Sequence, residues 1–134
     1  MDKKTIITDE SVEIDFVKKC IKREYHDRIL YELKSTKREK ALYRFAHSSY
    51  EMINEKFKNT SLLEIQNFIS SSFNEREDCY VISGNIHDKK NMSLKNAFFQ
   101  FCNSDMMMII ICKNWVFIKE ESVENKYYYT DSFN

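Results

Sequence analysis

The run Met106-Met107-Met108-Ile109-Ile110-Ile111-Cys112 holds seven apolar residues without a polar interruption. A half-exposed strand would alternate apolar and polar positions, whereas a short continuous run suits a strand buried on both faces. Three consecutive β-branched isoleucines favour strand over helix. Lys113-Asn114 and then Trp115-Val116-Phe117-Ile118 follow directly. The spacing predicts a central strand, a two-residue turn and an antiparallel partner, with Asn114 tolerating the positive φ that a tight hairpin needs.

Around that centre, 134 residues with 43% hydrophobic and 14% aromatic content suffice for one folded domain over residues 1–134. The helical part is expected at about 9–73, a strand-rich part at about 78–119 and a tail at 120–134. Gly84 is the only glycine and proline is absent, which excludes glycine-dependent phosphate loops. Cys20, Cys79, Cys102 and Cys112 are scattered without a Cys-x-x-Cys pair, so neither a zinc ribbon nor a thioredoxin-type motif is supported. The opening residues lack the apolar region of a signal peptide, and no run reaches the roughly 18 apolar residues of a membrane span. A cytoplasmic protein with reduced thiols and no membrane association is expected.

Net charge is zero but unevenly placed. Residues 18–44 carry ten basic and four acidic side chains, while residues 1–17 and 61–134 are each mildly acidic.

Along the chain, Thr5–Ile7 reads as a frayed lead-in or a short edge strand, and Thr8 or Asp9 as a helix cap. Phe16, Val17, Cys20, Ile21, Tyr25, Ile29, Leu30 and Leu33 recur at helical spacing, predicting one long helix to about Lys34. Thr36 with Glu39, Ser48 with Glu51 and Ser61 with Glu64 have capping-box spacing. They predict a helix that runs over 37–57 or breaks at His47, then another through Leu62, Ile65, Phe68, Ile69 and Phe73. Cys79–Ser83 is a strand signal closed by Gly84-Asn85, followed by a polar loop over Ile86–Asn91. Ser93 caps a helix burying Leu94, Ala97, Phe98, Phe101 and Cys102. Strand, helix and strand in that order imply a parallel pair. Tyr127–Tyr129 reads equally as a fourth strand or a loose tail. The expected fold is α+β: three to four N-terminal helices on a small mixed sheet, with a β-α-β-β C-terminal unit.

Five candidate features carry functional alternatives. The basic segment, including Lys18, Lys19, Lys22, Arg23, Lys34 and Lys37, could bind phosphates or an acidic protein. A solvated helix face explains it as well, and no second nucleic-acid motif accompanies it. Arg28, Glu32, Arg38, Arg44 and His47 are the candidate partner- or anion-binding residues, since antiparallel packing of the first helices would bring them together and arginine suits bidentate recognition. The same residues could simply tie the helices to each other. His87 with Asp88 offers a base or two metal ligands, too few for a metal site. Cysteines are ordinarily small core residues, the expectation for Cys20, Cys79 and Cys102. Trp115, Phe117 and Tyr127–Tyr129 could form a binding edge or cover the sheet.

No catalytic residue, metal site or cofactor is assigned. The favoured expectation is a non-enzymatic protein-binding protein, in concrete form a small bacterial immunity or regulatory protein that neutralises a partner, such as a toxin, by occlusion. One alternative is a nucleic-acid-associated protein using residues 18–44. Another is a small hydrolase or transferase with a site near His87, Asp88 and Cys112.

Overall fold

The structure, a computed structural model, describes residues 9–72, 76–121 and 126–134, without the side chains of residues 9, 10 and 72. Among these it contains helices α1 (Asp9–Cys20), α2 (His26–Lys34), α3 (Arg38–Met52), α4 (Leu62–Ser72) and α5 (Leu94–Asn103). The strands are β1 (Lys58–Thr60), β2 (Asp78–Ser83), β3 (Lys90–Ser93), β4 (Met108–Ile111), β5 (Val116–Lys119) and β6 (Tyr127–Thr130). They form one six-stranded sheet in the order β1-β6-β5-β4-β2-β3. The α+β class stands.

The isoleucine run is the interior strand that its composition demands, buried on both faces. Met107, Ile109 and Ile111 face a core built from α1, α2 and α3, with Phe16, Ile29 and Phe45. Met108, Ile110 and Cys112 face a second core containing Ile65, Leu94 and Phe101 from α4 and α5. Alternating side chains thus serve opposite cores, and the sheet lies between two helical layers. Burying one such isoleucine contributes about 1.5–3 kcal/mol.

The sheet departs from the expected mixed arrangement. β2 pairs antiparallel with β4, Tyr80 opposite Ile111, and every other pairing is antiparallel too. The chain can return antiparallel because β3 intervenes: β2 and β3 form a hairpin before α5, so no parallel crossover is required. Strands β1 and β3 lie at the two edges and are largely exposed, with Lys58, Asn59, Lys90 and Asn91. Polar edges protect a sheet from pairing with other chains, and they also erase the apolar signal that identifies a strand.

The predicted long first helix is broken at Ile21 and Lys22. Ile21 bridges to Ile53, and the Lys22 N–H donates to the Met52 carbonyl at 2.7 Å. Asn54 answers the end of α1, its backbone N–H reaching the Cys20 carbonyl and its side-chain amide the Lys19 carbonyl. Where α1 ends is therefore decided by residues more than 30 positions away.

Other local expectations hold. Ser61 accepts from the Glu64 N–H and Ser93 from the Asn96 N–H, capping α4 and α5. Cys112 and Trp115 close the β4–β5 turn across Lys113-Asn114, but Asn114 does not take the expected positive φ, which among the described residues only Lys89 adopts; Tyr127–Thr130 is a strand. Thr36 does not cap α3; Ser35 instead accepts from the Lys37 N–H. Cys102 is exposed rather than buried. The Thr5–Ile7 segment, the capping side chains of Thr8 and Asp9, and Phe73 lie outside what is described. No described helix is long and apolar enough to cross a membrane.

Candidate functional site

Arg38 opens α3, and its side chain turns inward, only 12% exposed. Nε donates to Asp88 at 2.8 Å, Nη1 to Glu13 at 2.8 Å and to the Leu33 carbonyl at 3.1 Å. Nη2 donates to Glu13 at 2.7 Å and to Asp88 at 3.0 Å. A guanidinium has five N–H donors, so all five are used. The Tyr80 hydroxyl donates to Glu13 at 2.6 Å, and Asp88 also accepts from the Ser83 N–H. Burial alone would lower the Arg38 pKa, but its hydrogen bonds to Glu13 and Asp88 outweigh that and raise it. Arg38 therefore ties α1, α2 and α3 to the β2–β3 turn and offers nothing to a partner.

Glu32 and Arg44 form a second bidentate pair, Nε and Nη2 each 2.9 Å from a carboxylate oxygen. It bridges α2 and α3 close to solvent, with the Arg44 side chain 34% exposed and that of Glu32 7%. The hydrogen bonds from Arg44 lower the Glu32 pKa; burial opposes them, and the charges of Arg44, Arg28 and Lys40 add to the lowering. Arg28 is exposed on α2. His47 is exposed on α3 and packs against Tyr43, ring centroids 4.4 Å apart and the planes tilted by 49°. Of the five candidate residues, the structure thus gathers Arg28, Glu32 and Arg44, sets His47 further along α3, and removes Arg38 to the interior.

The sequence reading missed the aromatic part of this surface. Tyr31, Tyr43 and Tyr50 are 58%, 67% and 66% exposed. In sequence Tyr43, His47 and Tyr50 stand at i, i+4 and i+7, the spacing of one face in an unbroken helix, although a kink comes between His47 and Tyr50. Arg28, Lys34, Lys37 and Lys40 are exposed on the same helical hairpin.

Tyr50 owes its place to a kink. Ser48 has non-helical backbone angles (φ −140°, ψ 22°) inside α3. The chain after β5 answers the backbone groups that the kink frees: Glu120 accepts from the Tyr50 N–H at 3.1 Å, and the Glu121 N–H donates to the Ala46 carbonyl at 2.9 Å. Tyr50 then lies 6.2 Å from Tyr128 of β6.

The residues of the hydrolase reading are not brought together. Asp88 is held by Arg38 beside Ser83, whereas Cys112 contacts Cys79 at the other end of β2. Four residue steps along the strand, from Cys79 to Ser83, separate those ends, roughly 13 Å. Lys119 is buried and donates to the Phe101 and Ser104 carbonyls, where a cation suits the C-terminal end of α5. Burial lowers its pKa. Among the described residues no group of three or more histidines, cysteines and carboxylates is placed to hold a metal ion.

Comparison of the chain with protein-family models, curated proteins and solved structures finds no match. Its function is accordingly argued from this surface.

Replacing Arg38 by methionine is expected to cost about 3–5 kcal/mol in urea unfolding, because Glu13 and Asp88 are left without their countercharge. Lysine should rescue little, lacking the planar fork. The Glu32–Arg44 pair should contribute about 1 kcal/mol. A carboxylate whose folded pKa lies below its unfolded value stabilises fully above the ordinary carboxylate range and loses that contribution as pH falls through the folded value. The stability gap between the wild type and Arg44→Gln should therefore be widest near neutrality and close on acidification, as read from unfolding midpoints across pH.

Proposed function

We propose that this chain is a non-enzymatic protein-binding protein that docks an acidic protein surface on its α2–α3 hairpin. The observation that carries the reading is that the hairpin exposes Tyr31 and Tyr43, and Tyr50 further along α3, as well as Arg28, Lys34, Lys37 and Lys40. A large aromatic side chain left in water has unused apolar surface, and tyrosine and arginine are enriched where partners bind most tightly. Arg44 is held in a fixed orientation by Glu32, which lessens the ordering cost of a contact with it.

Charge gives the partner its chemistry. Lys18, Lys22, Arg23, Arg28, Lys34, Lys37 and Lys40 are exposed along the end of α1, the following turn and the hairpin, against exposed Glu24, Asp27, Glu39 and Glu51. An acidic partner would be steered to this face and held in register. The concrete form that fits is a small bacterial immunity or regulatory protein, which neutralises its partner by covering the partner's working surface.

The test isolates the stoichiometric complex from the native host and measures its affinity with substituted chains. Tyr43→Ala and Tyr50→Ala should each weaken binding about ten-fold or more. Lys37→Glu with Lys40→Glu should slow association, chiefly at low salt. Phe99→Ala, on the exposed face of α5 in the other helical layer, should leave the complex intact. Unchanged affinity in the tyrosine variants would remove the docking face. Recovery of nucleic acid alone, lost steeply with added salt, would favour the phosphate-binding alternative.

A further inference from the structure

Cys79 and Cys112 belong to neighbouring strands. The strand register sets Tyr80 opposite Ile111, so one step along, Cys79 stands opposite Cys112. The Gly84 N–H donates to the Met107 carbonyl, which marks that pair in the same register as hydrogen-bonded. Hydrogen-bonded and non-hydrogen-bonded pairs alternate along antiparallel strands. Counting from Gly84–Met107 makes Cys79–Cys112 a non-hydrogen-bonded pair. There the Cα atoms lie about 4.5 Å apart and side chains approach most closely, within the roughly 4.4–6.8 Å that a disulfide spans. Their sulfurs are 2.8 Å apart. Both residues border a surface cleft of about 520 Å³ with Asp15, Asp78 and Lys113 at its wall, while their side chains belong to the α4–α5 core and are almost wholly buried.

We propose that Cys79 and Cys112 form an oxidisable dithiol, converted by a low-molecular-weight disulfide such as oxidised glutathione into a reversible cross-strand disulfide. The thiolate of one cysteine attacks a sulfur of the small disulfide, making a mixed disulfide and releasing one small thiol. The second cysteine's thiolate attacks the protein sulfur of that bond, making the Cys79–Cys112 bond and releasing the second small thiol. The protein loses two electrons and two protons, and both protons end on the released thiols. Cys20 is buried elsewhere, under the α1–α3 layer, and Cys102 is exposed on α5.

The two thiols hold each other in the reduced form. Cys112 is raised well above the ordinary thiol range by its hydrogen bond with Cys79, then by burial and by the charges of Cys79 and Glu77. Oxidation at neutral pH should therefore be slow, since only the thiolate attacks, and faster as pH rises. The bond would join residues 33 apart in sequence, restricting the unfolded chain.

The experiment incubates the folded, reduced wild type in glutathione buffers of increasing oxidised fraction, then measures intact mass and maps peptides without reductant. The expected result is loss of two hydrogens, a peptide linking Cys79 to Cys112, reversal by dithiothreitol, and a midpoint of thermal unfolding raised on the order of 10 °C. Cys102→Ser should behave as the wild type, and Cys112→Ala should lose the link. Glutathione on Cys102 with Cys79 and Cys112 still free would overturn the proposal, as would links that join only separate chains. The wild-type peptide map decides even if Cys112→Ala fails to fold.

Discussion

Burying a guanidinium between packed elements is tolerable only when its charge is answered and each N–H finds an acceptor. Arg38 meets both conditions with Glu13 of α1, the Leu33 carbonyl at the end of α2, and Asp88 of the β2–β3 turn. Two carboxylates converge on that one cation, and Tyr80 of β2 shares one of them. Without Arg38 they would face each other in a partly dehydrated space. The helical layer is placed on the sheet by this junction as well as by the apolar core beneath it, because a planar fork bound on two sides permits one orientation.

That junction also sorts the basic segment. Arg38 is spent inside and Arg44 is half-committed to Glu32, while Arg28, Lys37 and Lys40 stay at the surface. The kink at Ser48, braced by Glu120 and Glu121, carries Tyr50 to the border between α3 and β6. The outer face of the hairpin thus combines cations and aromatic rings on a rigid support, which favours binding by limiting the ordering cost.

What could be read beforehand was what short stretches decide for themselves. Met106–Cys112 announced a strand buried on both faces because no polar residue interrupts it, and all of the run except the exposed Met106 is buried. Lys113-Asn114 and the serines at 61 and 93 announced a turn and two caps through local hydrogen bonding. The edge strands at Lys58–Thr60 and Lys90–Ser93 were hidden by polar residues suited to an edge. The break at Ile21 was hidden because Ile53 causes it, and the antiparallel return of β4 because it depends on unseen β3.

The site divides the same way. Spacing placed Arg28, Glu32 and Arg44 together correctly, but no local pattern shows that Arg38 pairs with a residue 50 positions on. The exposed tyrosines stood at readable helical spacing. Spacing alone does not tell an exposed aromatic residue from one that packs in the core.

Arg38 is locked inside the fold, while Arg28, Lys37 and Lys40 stand exposed at the surface. Side-chain NMR of the arginine guanidinium groups in the folded protein tests it most directly. The Arg38 N–H protons should appear as separate, slowly exchanging resonances, with those of Arg23 and Arg28 lost to rapid exchange with water. Equally rapid exchange at Arg38 would mean that its side chain is mobile, and would contradict the account.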